Sequence, residues 1–348
     1  MYSNNFTKYN LFATAFLIFA AVNTALHAQS KVYGINENTI QNSTSEIIES
    51  DIEFYQANDL LILNGKVIVT DRLNTPIVHV FTFENQTQLK QINSFGNKGR
   101  GPGDFEDPWV MFSNDDSSML YVYDAVNKRI ATYSNEFELL ENDYIILEGL
   151  NFFTNIFTNN NVFYGAGITP GCQLLVFDID GKKVDCIGKH PDLNLNTEVS
   201  IITEAQRWHS YAVINFKENR IALFYRHAIR AALIDFGGSI LKEEIDSHFG
   251  VPLTEVNNGN AYPADADMRA FIAATSNDDF IYALYSGEVS NGPSSSLGKY
   301  VIKYDWNLNK IATYKLDHSS ISIYLDDNNM LYSIEFEPES RIRLLKLE

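Results

Sequence analysis

The chain has 348 residues, of which 45% are apolar and 13% aromatic, with a formal net charge of −18 and two cysteines. So acidic a chain repels phosphate backbones, and no Lys/Arg cluster interrupts it, so nucleic-acid binding is not expected. Its length suits two ordinary domains or one large closed β fold, and 23 Phe with 19 Tyr favour strands.

Residues 1–28 read as a signal peptide. Lys8 is their only charged residue, and the apolar run Leu11–Val22 is shorter than the ~20 residues that span a bilayer. Cleavage is expected after Ala28. The first cysteine is Cys172, so no lipidation cysteine follows. The expected product is a single domain over 29–348, periplasmic or secreted, not lipid-anchored and without membrane insertion.

From residue 60 a unit recurs, in which polar turn residues precede a short aliphatic-aromatic strand. Asn64-Gly65 precedes Val67, Asp115-Asp116 precedes Leu120, and Asn159-Asn160 precedes Val162. Glu218-Asn219 precedes Ile221, Asn277-Asp278 precedes Ile281, and Asp326-Asp327 precedes Leu331. Those six strand starts are 42 to 60 residues apart, the size of a four-stranded propeller blade. No long segment shows helical periodicity. The expected fold is therefore all-β, a six-bladed β-propeller. The last unit offers only three strands. The segment Ile47–Tyr55 is expected to supply the fourth and to close the ring by pairing N- and C-terminal strands.

Between the first two units lies Phe95–Pro108, with four glycines and two prolines in fourteen residues. Glycine permits positive φ and proline fixes φ, so this stretch turns the chain sharply from one blade into the next. Two later connections, Gly188–Ser210 and His248–Met268, exceed a plain crossover. With Tyr225-Arg226-His227 and the Ser/Gly-rich excursion Gly287–Gly298, they are expected on one face, around one mouth of a central channel. The cysteines are ambiguous. An Asp180-Gly181 hairpin puts Cys172 opposite Lys189, roughly 10 Å along the strand from Cys186, too far for a disulfide unless a bulge or longer turn intervenes.

The crossover Gly99-Arg100-Gly101-Pro102-Gly103-Asp104-Phe105 with Pro108 resembles that of NHL-type propellers. Asp278–Gly287, Val301–Asn307 and Tyr314–Asp317 are similar to the TolB-like six-bladed β-propeller family of secreted Bacteroidetes proteins. The likeness covers most of 45–348. It implies a six-bladed ring outside the cytoplasm and carries over no catalytic residue.

Asp178-Ile179-Asp180-Gly181 begins like a calcium loop but lacks the bidentate Glu at its twelfth position, so it reads as a hairpin turn. No Gly-x-Ser-x-Gly, His-Glu-x-x-His or Gly-Lys-Ser/Thr motif occurs. No cofactor and no catalytic residue is assigned. The expected function is non-catalytic binding of a protein, peptide or glycan by a monomer, through loops on one face. Arg207, Trp208, His209, Arg226, His227 and Tyr262 are the candidate contacts, since stacking aromatics beside guanidinium forks suit such ligands. The alternative is a Ca²⁺-dependent hydrolase or lyase, with carboxylates such as Asp265, Asp267, Asp326 and Asp327 meeting in the channel.

Overall fold

The computed structural model describes residues 32–348, except 111, 114–118, 141–143, 150, 258–259, 293, 337–338 and 348. The expected signal peptide lies outside the described residues. The described chain is all-β and propeller-like, with a single α-helix, α1 (Ile201–Arg207).

Four-stranded antiparallel sheets follow one another along the chain. The first comprises Ala57–Leu63, Lys66–Asp71, Val78–Asn85 and Gln88–Phe95. The second holds Pro108–Val110, Leu120–Asp124, Arg129–Tyr133 and Ile145–Ile146. Phe152–Asn159, Val162–Ile168, Leu174–Phe177 and Lys183–Ile187 form the third. Ser210–Asn215, Arg220–Tyr225, Arg230–Asp235 and Ile240–Ile245 form the fourth. Met268–Ser276, Phe280–Val289 and Gly298–Asp305 then pair in turn, ending on Lys310–Leu325. That long strand serves two ladders. Lys310–Lys315 closes the fifth sheet, while Ser320–Leu325 pairs with Leu331–Glu335, which pairs with Arg341–Lys346. Beside the last lies Thr44–Ser50, with Thr44 opposite Lys346 and Ile48 opposite Ile342. The N-terminal pairing segment is thus Thr44–Ile48, which shares Ile47 and Ile48 with the expected Ile47–Tyr55, while Phe54 adds an isolated antiparallel bridge to Ser340. Glu49 and Ser50 already pair in parallel with Gln88 and Leu89 of the first sheet.

The turn chemistry explains the hairpins. Asn64 and Gly65 have φ of 52° and 73°, and Asn160 and Asn161 have 52° and 59°. Asn tolerates the left-handed region and Gly is free there, which is what a tight turn matching strand twist requires. In the crossover, Gly96 has φ of 76° and a Cβ there would lie 2.7 Å from the fully buried Phe105 ring. Arg129 holds this loop from the next sheet, donating to the carbonyls of Arg100 at 3.0 Å and Asp104 at 2.6 Å. Gly103 has φ of 76°, whereas Gly101 is not in the left-handed region.

The core lies between consecutive sheets. Phe157, Leu174 and Val176 of the third sheet meet Ala212, Ile214 and Leu223 of the fourth. Val67, Phe81 and Leu89 of the first meet Ile48, Ile334, Ile342 and Leu344 beside the chain ends. The middle strands of each sheet are therefore apolar on both faces and read as near-continuous apolar runs, whereas outer strands such as Lys183–Ile187 and Ile240–Ile245 are largely exposed.

Cys172 and Cys186 are bridged, with Cα atoms 5.7 Å apart. The ladder has the expected register, Leu174 opposite Ile187 and Leu175 opposite Cys186. Cys172 escapes that register because it precedes the strand. A turn closed by Cys172 N–H donating to Thr169 O folds it back over its partner.

Candidate functional site at the mouth of the channel

The first strand of every sheet lines a common cavity of about 670 Å³, touched by Leu61, Val110, Asn155, Val213, Ala273 and Ile323. These strands run in the same sense, so their starts gather at one mouth and their ends at the other. Arg72, Trp109, Tyr211, Arg226 and Leu297 line the cavity toward the first mouth, Phe216, Lys217 and Asp278 toward the second.

At the first mouth the long connections converge on Asp267, which is fully buried. Arg207, at the end of α1 in the connection 188–210, donates to Asp267 Oδ1 at 2.5 Å and to Leu253 O at 3.2 Å. His227, in the loop after Tyr225, bonds Asp267 Oδ2 through Nδ1 at 3.0 Å. Ser290, in the excursion 287–298, donates its hydroxyl to the same oxygen at 3.0 Å. One carboxylate therefore ties together all three insertions and the loop at 226–227. The sequence names most of these segments, but Asp267 as their hub is legible only in three dimensions.

Helix α1 was missed because seven residues are too few for an amphipathic period. Its one local signal is the N-cap Ser200, whose hydroxyl accepts from Thr203 N–H at 3.1 Å.

The expected contact residues divide. Trp208 has no exposed surface; it meets Tyr225 edge-on with centroids 5.2 Å apart and lies 5.4 Å from the Arg230 guanidinium. It offers no stacking face to a ligand, and its role is inter-sheet packing, which corrects its assignment as a contact. Arg207 is likewise buried and spent on Asp267, and is a structural cation rather than a contact. Tyr262 stands 52% exposed on the hairpin Thr254–Asn257/Asn260–Pro263, whose Thr254 hydroxyl accepts from Arg207 Nε at 3.1 Å. Arg226 borders the cavity and donates to the Tyr211 hydroxyl at 2.5 Å. His209 stacks on Tyr211 with centroids 5.5 Å apart. Arg269, absent from the sequence-based set, sits beside His227 with Nη1 3.0 Å from Nε2.

This cluster perturbs its own titration. Burial, followed by the charges of Arg226, His227 and Arg269, holds His209 well below the usual histidine range. Burial lowers His227 to about 4, although the Asp267 hydrogen bond opposes it. Burial would raise Asp267, but His227 and Arg207 outweigh it and keep the carboxyl below 3.8. Burial and then Arg226 lower Arg269 to about 10. A histidine whose folded pKa lies below its unfolded value contributes stability fully present above pH ~6.5 and lost as pH falls toward the folded value. Stability should accordingly decline between pH 6.5 and 4 as His227 is forced to take up a proton. Denaturant melts across that window should show a shallower decline for His227→Gln; an unchanged slope counts against this account.

In the channel, burial pushes Asp59 up to about 7, despite accepting from the N–H groups of Leu60 and Val110 at 3.0 Å each. Elsewhere, His318 bonds Asp317 at 2.7 Å and the Ser333 hydroxyl at 2.8 Å, the order of an acid–base–nucleophile triad. Ser333 has no exposed surface, so the hydroxyl cannot meet a substrate. Among the described residues, no group of three or more His, Cys, Asp or Glu is placed to hold a metal ion. No helix among them is long and apolar enough to cross a membrane.

No curated protein matches the chain. Solved structures do, at low identity. A member of the DUF4221 family from Bacteroides vulgatus is 12% identical with a TM-score of 0.53, covering 90% of this chain and 100% of that one. A predicted exported protein from Bacteroides fragilis is 10% identical with a TM-score of 0.55, covering 91% and 98%. Streptogramin B lyase is 10% identical with a TM-score of 0.50, covering 88% and 98%. At such identities these show the shared fold alone. The model of the TolB-like 6-blade propeller-like family matches residues 56–328, most of the chain, and together with the recurring sheets around one cavity this means that the chain belongs to that family.

Proposed function

We propose that this protein is a non-catalytic, extracytoplasmic binding ring of six blades, closed by the pairing of Thr44–Ile48 with Arg341–Lys346, which receives a peptide or glycan at the first channel mouth. The observation that carries this reading is the convergence of three insertions and a loop on Asp267 beside an open cavity of about 670 Å³. A minimal blade needs none of these insertions, and loops on a rigid frame are where recognition residues concentrate. The leader-like N-terminus and the exported neighbour from Bacteroides fragilis support the location.

The test is a screen of peptide and glycan arrays, followed by hydroxyl-radical footprinting of the protein with a ligand so found. Protection is expected at Arg226, Tyr262 and Ser296–Leu297, and none at Lys217 or Asp278. Protection confined to the second mouth or to outer strands overturns the assignment of the face, and stoichiometric metal with hydrolysis lost on chelation overturns the non-catalytic reading.

A further inference from the structure

Three inner strands are stitched to the next one in the same way. Asp59 Oδ2 accepts from Val110 N–H at 3.0 Å, joining the first sheet to the second. Asn155 Oδ1 accepts from Ala212 N–H at 3.2 Å, joining the third to the fourth. Thr275 Oγ1 accepts from Leu325 N–H at 3.1 Å, joining the fifth to the strand segment Ser320–Leu325. All three residues border the central cavity. A neutral amide or hydroxyl therefore serves such a junction, and of these three only the first uses a carboxylate.

The charge is costly where it stands. Asp59 Oδ1 accepts from Leu60 N–H at 3.0 Å, yet burial outweighs both backbone bonds and drives the carboxyl up to about 7. Arg72, the cation whose charge opposes that rise, forms its ion pair with Asp107 instead, at 2.5 Å, and lies 4.9 Å from the Trp109 ring. Tyr324, on the other flanking strand, spends its hydroxyl on Ile62 O at 3.0 Å. The second carboxylate bordering the cavity, Asp278, is exposed at the far mouth and pairs with Lys217 at 3.7 Å. Arg226 stands on the fourth sheet, not on either strand flanking Asp59. Asp59 is not sealed in, for it borders the cavity and keeps part of its surface accessible. A neutral acceptor would hold the junction without the cost, and costly ionisable groups in clefts concentrate at functional sites.

We propose that Asp59 anchors an organic ammonium group in the central cavity, the apolar body of that ligand lying against the channel wall. This goes beyond the reading of the first mouth and does not rest on it. Each carboxylate oxygen, with one N–H already bound, keeps an acceptor position for a further donor. An ammonium is a compact point charge that can use such single positions, whereas a guanidinium fork takes both oxygens in parallel. A divalent metal needs more ligands than one carboxylate supplies, and among the described residues no group of three or more His, Cys, Asp or Glu stands ready. Leu61, Val110, Ile321 and Ile323, on the same inner strand and the two that flank it, border the cavity and suit an apolar body. The overall charge of −18 adds a general attraction for cations.

The probes are benzylamine and its neutral counterpart benzyl alcohol, titrated calorimetrically into the whole protein at about pH 8 and about pH 5.5. At the higher pH Asp59 is mostly ionised, and saturable binding of benzylamine is expected, at least about tenfold tighter than that of the alcohol. At the lower pH the carboxyl holds its proton, and benzylamine should bind about tenfold more weakly. Near pH 7 binding should release protons, read as an enthalpy that changes with the ionisation enthalpy of the buffer. Asp59→Asn should abolish both the preference for the amine and its pH dependence, whereas Asp278→Asn at the far mouth should change neither. Asn155 already fills the same role between the third and fourth sheets, so Asp59→Asn is expected to fold. A carboxyl whose folded pKa lies above its unfolded value contributes stability that is present at low pH and lost as pH rises through about 7, so this variant should melt no lower than the wild type at about pH 8. No saturable amine binding, equal affinity for amine and alcohol, or unchanged binding by Asp59→Asn overturns the proposal. A lower melting temperature of Asp59→Asn at about pH 8 overturns it as well, because the charge would then be needed to hold the strands together.

Discussion

Deleting Arg341–Leu347 is expected to abolish cooperative unfolding, because the loss is comparable to the whole 5–15 kcal/mol that keeps a domain folded. The strand Arg341–Lys346 lies between Leu331–Glu335 and Thr44–Ile48, so its removal breaks two ladders at once. It also strips Ile342, Leu344 and Leu345, exposed by 1%, 5% and 5%, from the core beside the first and fifth sheets. Arg343 would no longer join Glu335 at 2.7 Å to the Ser45 hydroxyl at 3.1 Å. Two bare strand edges would face each other across the gap, which invites aggregation. Circular dichroism melts of the deletion variant provide the check, and Leu344→Ala, costing about 2–5 kcal/mol, gives a graded companion that still folds. Wild-type melting of the deletion variant would mean that the ring is not closed as proposed.

Trp208→Ala is expected to cost about 3–5 kcal/mol, the range for removing a fully buried aromatic. Nothing nearby can collapse freely into the space. The indole is enclosed by Tyr225, whose hydroxyl is held by Gln173 Nε2 at 2.7 Å, and by Arg230, which is tied to Glu243. At about 2 °C per kcal/mol for a domain of this size, the melting temperature should fall by roughly 6–10 °C. Tyr262→Ala, on the exposed hairpin, should change stability by no more than about 0.5 kcal/mol. If the two variants melt alike, the indole is not the inter-sheet anchor described above.

Local chemistry decided much of this protein in the sequence alone. Turns are expected at Asn64-Gly65, Asn159-Asn160 and Glu218-Asn219, and Asn64, Gly65, Asn160 and Asn219 do adopt the positive φ that most side chains resist, the turn of the third sheet lying one residue later, at Asn160-Asn161. The apolar second strands at Val67, Leu120, Val162, Ile221, Ile281 and Leu331 begin where the repeat puts them, since a buried sheet needs apolar side chains on both faces. The pairing of Leu174 with Ile187 matches a two-residue turn at Asp180-Gly181 only because a register shift between Val176 and Phe177 offsets the longer turn actually formed. The tertiary structure decided whatever depends on segments distant in the chain. Whether Trp208 faces a ligand or a neighbouring sheet depends on how the fourth sheet seats against the third, and burial won. That Cys172 reaches Cys186 depends on a backward turn before the strand, invisible to a register count. Asp267 could be recognised as a hub only once residues from four separate segments stood within hydrogen-bonding reach. Such contacts obey no sequence period, because their spacing is set by how whole sheets pack rather than by the backbone of any one of them.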